Sequence, residues 1–491
     1  MLYTNNFLLK SQNESLGIFQ GHRDVGNVEK HGMVTYNTQS QEYLIEGSGT
    51  NIWFGSDEFQ FLWKKIKSDF IVNATVEFVG KGVEQHRKIG WMIRQTLEPN
   101  APHVSAVIHG DGLTSCQFRK IPGGNTDELR FDIKAPNIVQ FERRGNLYIM
   151  SVAHWGETFI TQQLLDTSLG NEVYVGLFFC SHNPKVSEKA IFRNLRITVP
   201  AKAGFVPYKD YIGSNLEIMD IETGNRKIIY TSPYSLQAPN WTPDGKRLMY
   251  NCNGLLYNFD LSTNIPDELN TDFAKSNNND HVLSFDGKML GISNHSVEDN
   301  NNSIIYVLPS KGGKPIRVTS KGPSYLHGWS PNGKYLVYTA QRNNEYHIYR
   351  ISIKEGEEIQ LTWAKGLDDG PEYTPDGQYI YFNSNRTGTM QIWRMKPDGS
   401  NQERITFDGY NDWFPHISPD GKWIVFLSFP KDINPDDHPF YKHVYIRMIS
   451  SGASELKVIA YLYGGQGTIN VPSWSPDSKK IAFITNTDEI K

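Results

Sequence analysis

Trp329-Ser330-Pro331-Asn332-Gly333-Lys334, running into Tyr335-Leu336-Val337-Tyr338, is a tight turn that feeds an alternating apolar strand, and the chain repeats it six times. The other copies are Asn240-Trp241-Thr242-Pro243-Asp244-Gly245-Lys246, Leu283-Ser284-Phe285-Asp286-Gly287-Lys288, Tyr373-Thr374-Pro375-Asp376-Gly377-Gln378, Ile417-Ser418-Pro419-Asp420-Gly421-Lys422 and Trp474-Ser475-Pro476-Asp477-Ser478-Lys479. Proline presets φ, Asp or Asn bonds its own backbone, and Gly takes the positive φ that reverses the chain. Counted between the Asp/Asn positions, successive copies stand 42, 46, 44, 44 and 57 residues apart.

A period in the low forties leaves room for four strands per repeat, the size of a propeller blade whose faces are buried only against its neighbours. Further strands follow the turns, such as Gln391-Ile392-Trp393-Arg394-Met395 and Glu403-Arg404-Ile405-Thr406. The last copy stops short of its two outer strands, and the segment from Leu216 to Tyr230 can supply them, closing a six-bladed ring and removing the open edge. The repeat resembles the TolB-type propeller over residues 213–491, a superfamily that includes scaffolds, peptidase caps and some lyases, so the resemblance implies the fold and leaves the activity open.

A chain of 491 residues exceeds a single core, and its 12% aromatic content, with 42 Gly and 25 Pro, favours short strands and tight turns. The formal charge of −4, with both signs interspersed, offers no footprint for nucleic acid or an anionic membrane. Cys116, Cys180 and Cys252 have no metal-type spacing and read as small buried hydrophobes. Met1-Leu2-Tyr3-Thr4-Asn5-Asn6-Phe7 carries no export signal and no window of 18 apolar residues follows, which predicts a cytoplasmic protein, or a periplasmic one if a leader has been trimmed.

Residues 1–200 lack the repeat and read as short strands (72–79, 88–94, 104–109, 114–119, 137–143, 148–152, 174–180 and 192–199), the pattern of a β-sandwich. The block from Gly90 to Arg119 resembles concanavalin-like jelly rolls, domains that accompany carbohydrate-handling proteins. Alternation sends Trp91, Ile93, Val104, Ala106, Ile108, Cys116 and Phe118 to one face, and Arg94, His103, Ser105, His109, Ser115, Gln117 and Arg119 to the other. That second face is read either as a sugar-binding or catalytic groove, with Arg94, His109, Gln117 and Arg119 as its contacts, or as a sheet face solvated by ordinary polar side chains or packed on the propeller. No Glu-x-Asp-x-x-Glu strand of the jelly-roll glycanases is present. Residues 201–212 form the linker, and its Pro207 and tyrosines predict a packed connection.

In a propeller, the segments leading into the innermost strands and the loops after the second strands share one face. Here they carry Asn240, Asp280-His281, His327, Asp369 with Glu372, Asp412-Trp413 with His416, Gln466 with Asn470, and then Asn251, Asn294, Arg342 and Arg386. His281, His327, Glu372 and His416 are the candidate catalytic and metal-binding set, with donors that suit a divalent Mn, Zn, Fe or Ca ion. Asn240, Asn294, Arg342, Asp369, Arg386, Asp412, Trp413 and Gln466 are candidate ligand contacts. The plain alternative is that each histidine satisfies neighbouring backbone. Residues 430–442 are an insertion that leans over the channel mouth or onto the sandwich, or decorates the surface, and Tyr461 to Thr468 holds three glycines that admit a close ligand or neighbour or form a tight inter-blade loop.

Two functions are expected. One is a carbohydrate-active protein, such as a metal-assisted lyase or hydrolase of a modified or acidic sugar. The other is a non-catalytic glycan- or protein-binding scaffold of the TolB kind. A peptidase is disfavoured for want of a Gly-x-Ser-x-Gly elbow, and no nucleotide-binding loop is present.

Overall fold

A computed structural model describes residues 15–452 and 455–488. The segment Met1 to Phe7, read above for an export signal, lies outside the described residues. The chain divides into two compact units between Ile197 and Thr198. Apart from one short 3-10 turn, Val297–Asp299, every regular element among the described residues is a β-strand. None of them is a helix long and apolar enough to cross a membrane.

The first unit is a sandwich of two seven-stranded antiparallel sheets. Gly21–Val25, Phe59–Ile66, Val173–Cys180, Lys88–Arg94, His103–His109, Thr114–Arg119 and Asp127–Arg130 lie side by side in one. The other orders Ile160–Leu164, Leu147–Ala153, Ile138–Arg144, Phe70–Val79, Glu188–Thr198, Glu42–Gly47 and Met33–Asn37. Trp91, Ile93, Val104, Ala106, Ile108 and Cys116 meet Val72, Ala74, Phe141 and Met150 in the core between the sheets, the face the alternation assigns them. Burying such side chains contributes roughly 1.5–3 kcal/mol each. All three cysteines are buried free thiols.

The second unit is a six-bladed propeller. Five blades are complete four-stranded antiparallel sheets, beginning at Leu236–Trp241, Asn277–Leu283, Ser324–Trp329, Asp368–Tyr373 and Asn411–Ile417. The sixth is built from both ends of the unit: Lys480–Thr487 pairs with Gly213–Asp220, which pairs with Arg226–Ser232. Its innermost position holds only the single bridge Trp474 to Ile481.

The turn motif works alike in all six copies. Its Ser or Thr hydroxyl donates to the Asp or Asn Oδ1 two residues on at 2.6–2.8 Å, and that oxygen also accepts the amide of the residue two further along. The glycine takes φ of 68° to 73° in five copies, and Ser478 takes 61° in the sixth.

Candidate functional site

Every complete blade carries a register slip in its inner strand, between Gln237 and Asn240, Asn277 and His281, Leu326 and Gly328, Asp369 and Glu372, and Trp413 and His416. An extra residue on one strand re-aims the side chains beside it, and Ala238, Gly370 and Phe414 take up positive φ at these points. Polar residues three positions apart flank the slip in the blades that begin at Leu236 and Asp368, Gln237 with Asn240 and Asp369 with Glu372, and the two sets take different roles.

The residue seven positions before the turn Asp/Asn faces a cavity of about 690 Å³ in five blades: Gln237, Asn279, Tyr325, Asp369 and Asn470. Trp413, at that position in the remaining complete blade, is fully buried, and Phe414 lines the cavity instead. His327 and Asp280 also enter the lining. The linker and the insertion complete it, since Tyr208 and Tyr211 stand edge-on to Phe440 with ring centroids 5.2 and 5.7 Å apart. The packed connection expected of residues 201–212 is thus present within this unit, and the insertion leans over the channel. The glycine run serves a neighbour: a Cβ on Gly465 would sit 2.0 Å from the Pro439 carbonyl.

Three nearby residues turn sideways and tie blade to blade. Asn240 Oδ1 accepts the Leu283 amide of the next blade at 3.2 Å, while its Nδ2 donates to Pro472 O at 2.6 Å. Glu372 Oε1 accepts the Ile417 amide at 3.1 Å, its Oε2 pairs with His416 Nδ1 at 2.6 Å, and His416 Nε2 bonds Ile469 O. Glu372→Ala would leave the His416 Nδ1 and the Ile417 amide unpaired in the interior. The propeller of the variant is expected to lose about 2–3 kcal/mol in urea unfolding, and a loss below 0.5 kcal/mol would remove the clamp from this account.

The expected metal set is therefore not assembled. His281 is buried with Nε2 3.4 Å from Met249 O, Glu372 and His416 are bonded to each other, and only His327 reaches the cavity. Among the expected contacts, Asp369 and Gln466 line the cavity. Asn294 caps the Ser276 amide at 3.0 Å, Arg342 is held by Glu358 at 2.7 Å, Arg386 by Asp368 at 2.8 Å, and Asp412 by Arg447 at 2.5 Å. In the sandwich, Arg94 and Arg119 converge on Asp57 with all three side chains wholly buried, and Gln117 bonds His109 at 3.2 Å. The polar sheet face is thus covered from within its own unit, by the segment carrying Ile52 and Asp57, and neither groove nor solvated face remains at the arginines.

What the cavity does hold is a run of ionisable groups. Asp369 accepts from His327 Nε2 at 3.2 Å and stands 3.9 Å from His438 Nε2. Burial would raise Asp369, but the two imidazoles outweigh it and hold the acid near 2. Burial pushes Asp280 up to about 6, with the Asp369 charge adding to the rise and His327 opposing it. Burial depresses His327 less than Asp280 and Asp369 raise it, so its net shift is upward. Asn278 Nδ2 donates to Asp280 at 2.8 Å. Asparagines and tyrosines fill out the wall, and among the described residues no Lys or Arg lines it. Asp280 is the acid that sequence reasoning passed over in favour of its neighbour His281; the run Asn277-Asn278-Asn279 before it was the available signal.

The turn motif, the closed ring and the channel-mouth cavity define the class as a Ser-Pro-Asp-Gly-Lys-type β-propeller. The TolB β-propeller domain family matches residues 324–436. An uncharacterized protein of Agrobacterium fabrum is 44% identical over 272 residues, which span 55% of this chain and 92% of that one. A TolB-like structure from Agrobacterium tumefaciens, also 44% identical, covers 56% of this chain and 99% of its own, with a TM-score of 0.54. The chain belongs to the TolB-type propeller family. An oligogalacturonate lyase solved with manganese is 15% identical over 51% of this chain and 67% of that chain, with a TM-score of 0.35, a distance at which nothing about activity transfers.

Proposed function

We propose that the chain is a carbohydrate-active protein whose ligand, a sugar without negative charge, sits at the propeller channel mouth. The observation that carries this reading is the ring of hydrogen-bonding side chains contributed by equivalent positions of the blades, Gln237, Asn279, Tyr325, Asp369 and Asn470, in a wall to which, among the described residues, no Lys or Arg contributes. Carboxamides bond vicinal hydroxyls as donor and acceptor at once, and Tyr208, Tyr211, Tyr325 and Tyr346 offer ring faces for the apolar side of a pyranose. Asp280, Asp369, Asp436 and Asp437 would repel a uronate, which narrows the modified or acidic sugar first expected to a neutral or amino sugar.

The two buried carboxyls are pushed apart, Asp280 toward the acid form and Asp369 toward the anion. Such a split assigns roles: Asp280 donates a proton to a leaving oxygen, and Asp369, steadied by His327, accepts one from water or a sugar hydroxyl. This is acid–base cleavage without the metal first expected at the propeller, whose His327 is already engaged by Asp369.

Calorimetric titration with neutral, amino and acidic sugars tests the reading. Neutral or amino sugars should bind, and Asn279→Ala should weaken them about tenfold, the worth of one or two hydrogen bonds. Heat from uronates alone, or from no sugar, would end the proposal, whereas binding with no product in a cleavage assay would leave a lectin-like scaffold.

A further inference from the structure

The sandwich carries a second cluster of chemically active side chains that the propeller reading does not use. His86 lies in the loop before Lys88–Arg94, and Asp111 and the end of His103–His109 lie at the neighbouring hairpin. Backbone bonds lace the two loops together: Asp111 N donates to Gln85 O at 2.8 Å, and Gly110 N to Arg87 O at 2.9 Å. His86, His109 and Asp111 each bring one ligand atom within 4.8 Å of the others. His86 Nδ1 is 3.8 Å from Asp111 Oδ2. The His86 ring stands 5.9 Å from that of His109 and 5.7 Å from that of His182.

One atom in this group is anomalous. His109 is 5% exposed, its Nε2 is engaged by the Gln117 carboxamide at 3.2 Å, and its Nδ1 is buried with no hydrogen-bond partner. An orphaned imidazole nitrogen costs about 1–3 kcal/mol unless something accepts its lone pair or proton. Gln117 Oε1 is also buried without a partner. Turning that carboxamide about its last bond gives up its long donation to Glu128 Oε2 at 3.4 Å, lets Ser115 Oγ donate in place of accepting, gives Nε2–H an acceptor and leaves Nδ1 with a free lone pair, the way an outer carboxamide orients a ligating histidine.

We infer that His86, His109 and Asp111, with His182 beside them, form a binding site for a divalent transition metal, best matched by zinc. Imidazole and carboxylate are the donors zinc takes, and tetrahedral ligands about 2.0–2.2 Å from the ion stand roughly 3.4 Å from one another. Closing from the present spacing asks for a small movement of the exposed His86. The Lys88 ammonium also faces the site, from directly across the strand pair, and is drawn off by Asn51 Oδ1 at 2.8 Å. Asp111 and the neighbouring Glu84 supply the opposing negative charge.

Untagged, chelator-treated full-length protein is titrated with Zn²⁺ by calorimetry and with Co²⁺ by visible absorption. One ion per chain is expected, with Co²⁺ bands of tetrahedral intensity. His86→Ala and Asp111→Asn should each weaken binding at least tenfold. The second keeps the turn, because an Asn Oδ1 can still accept the Leu113 amide that Asp111 holds at 3.0 Å, and circular dichroism should be unchanged in both. Failure of the wild-type chain to bind a stoichiometric ion, or an affinity in the two variants unchanged from that of the wild type, overturns the assignment.

Discussion

Asp57→Ala is expected to destabilise the sandwich by about 3–5 kcal/mol, enough to unfold it at moderate urea while the propeller transition stays in place. Asp57 accepts Arg119 Nη2 at 2.6 Å and Nη1 at 2.9 Å, with Arg94 Nη2 at 3.4 Å, and none of the three side chains reaches solvent. Removing the one carboxylate strands two like charges in a low-dielectric interior. Burial has already brought Arg94 down to about 10, against the pull of Asp57, so the guanidinium has little further reserve. The penalty belongs to the unpaired cations more than to the lost bonds. Arg119→Met placed on top of Asp57→Ala should therefore restore part of the stability instead of adding to the loss. A single-variant cost under 1 kcal/mol would show that water reaches these groups.

The same triad explains why the sandwich misled the reading of its sequence. Alternation put Arg94, His103, Gln117 and Arg119 on one face correctly, and the opposite face became the core as expected. What alternation cannot carry is a partner supplied from 37 and 62 residues away: Asp57 stands in an irregular stretch with no period and turns a polar face into an interior one.

In the propeller, the turn motif made the blades and their closure legible, because six local turns each need the same residues for the same backbone reasons. The site was half legible. His327, Asp369 and Gln466 line the cavity, whereas Asn240, Glu372 and His416 fasten blade to blade. The register slip between the two groups is a backbone event that leaves no consistent residue behind it, with Ala238, Gly370 and Phe414 occupying the equivalent point. Arg342 and Arg386 were lost to the site for a simpler reason, since each has an acidic partner inside its own blade.

Asp280→Asn should cut sugar cleavage by about 10²–10⁴-fold while leaving affinity for a neutral sugar within threefold, since the amide keeps the shape and loses only the transferable proton. It should also change how the propeller responds to pH. Asp280 sits at about 6 when folded against 3.8 as its ordinary value, so the folded state holds the proton more tightly. Its contribution is complete below about pH 4 and disappears as the pH rises through 6, a change on the order of 2–3 kcal/mol. His327, also shifted upward, adds a loss in the same direction above its ordinary value. Asp369, held near 2, has the opposite sign: its contribution is present above 3.8 and is lost only as the pH falls toward 2. Between pH 4.5 and 6.5, then, Asp280 is the one of these two carboxyls that changes charge. Buried His281, depressed to about 4, gains stability as the pH rises through the same window in both proteins, so the expected signal is the difference: wild-type propeller stability should fall relative to that of Asp280→Asn in urea titrations across it. Parallel profiles for the two proteins would mean that Asp280 is ionised throughout, and the acid assigned to the cleavage step would have no proton to give.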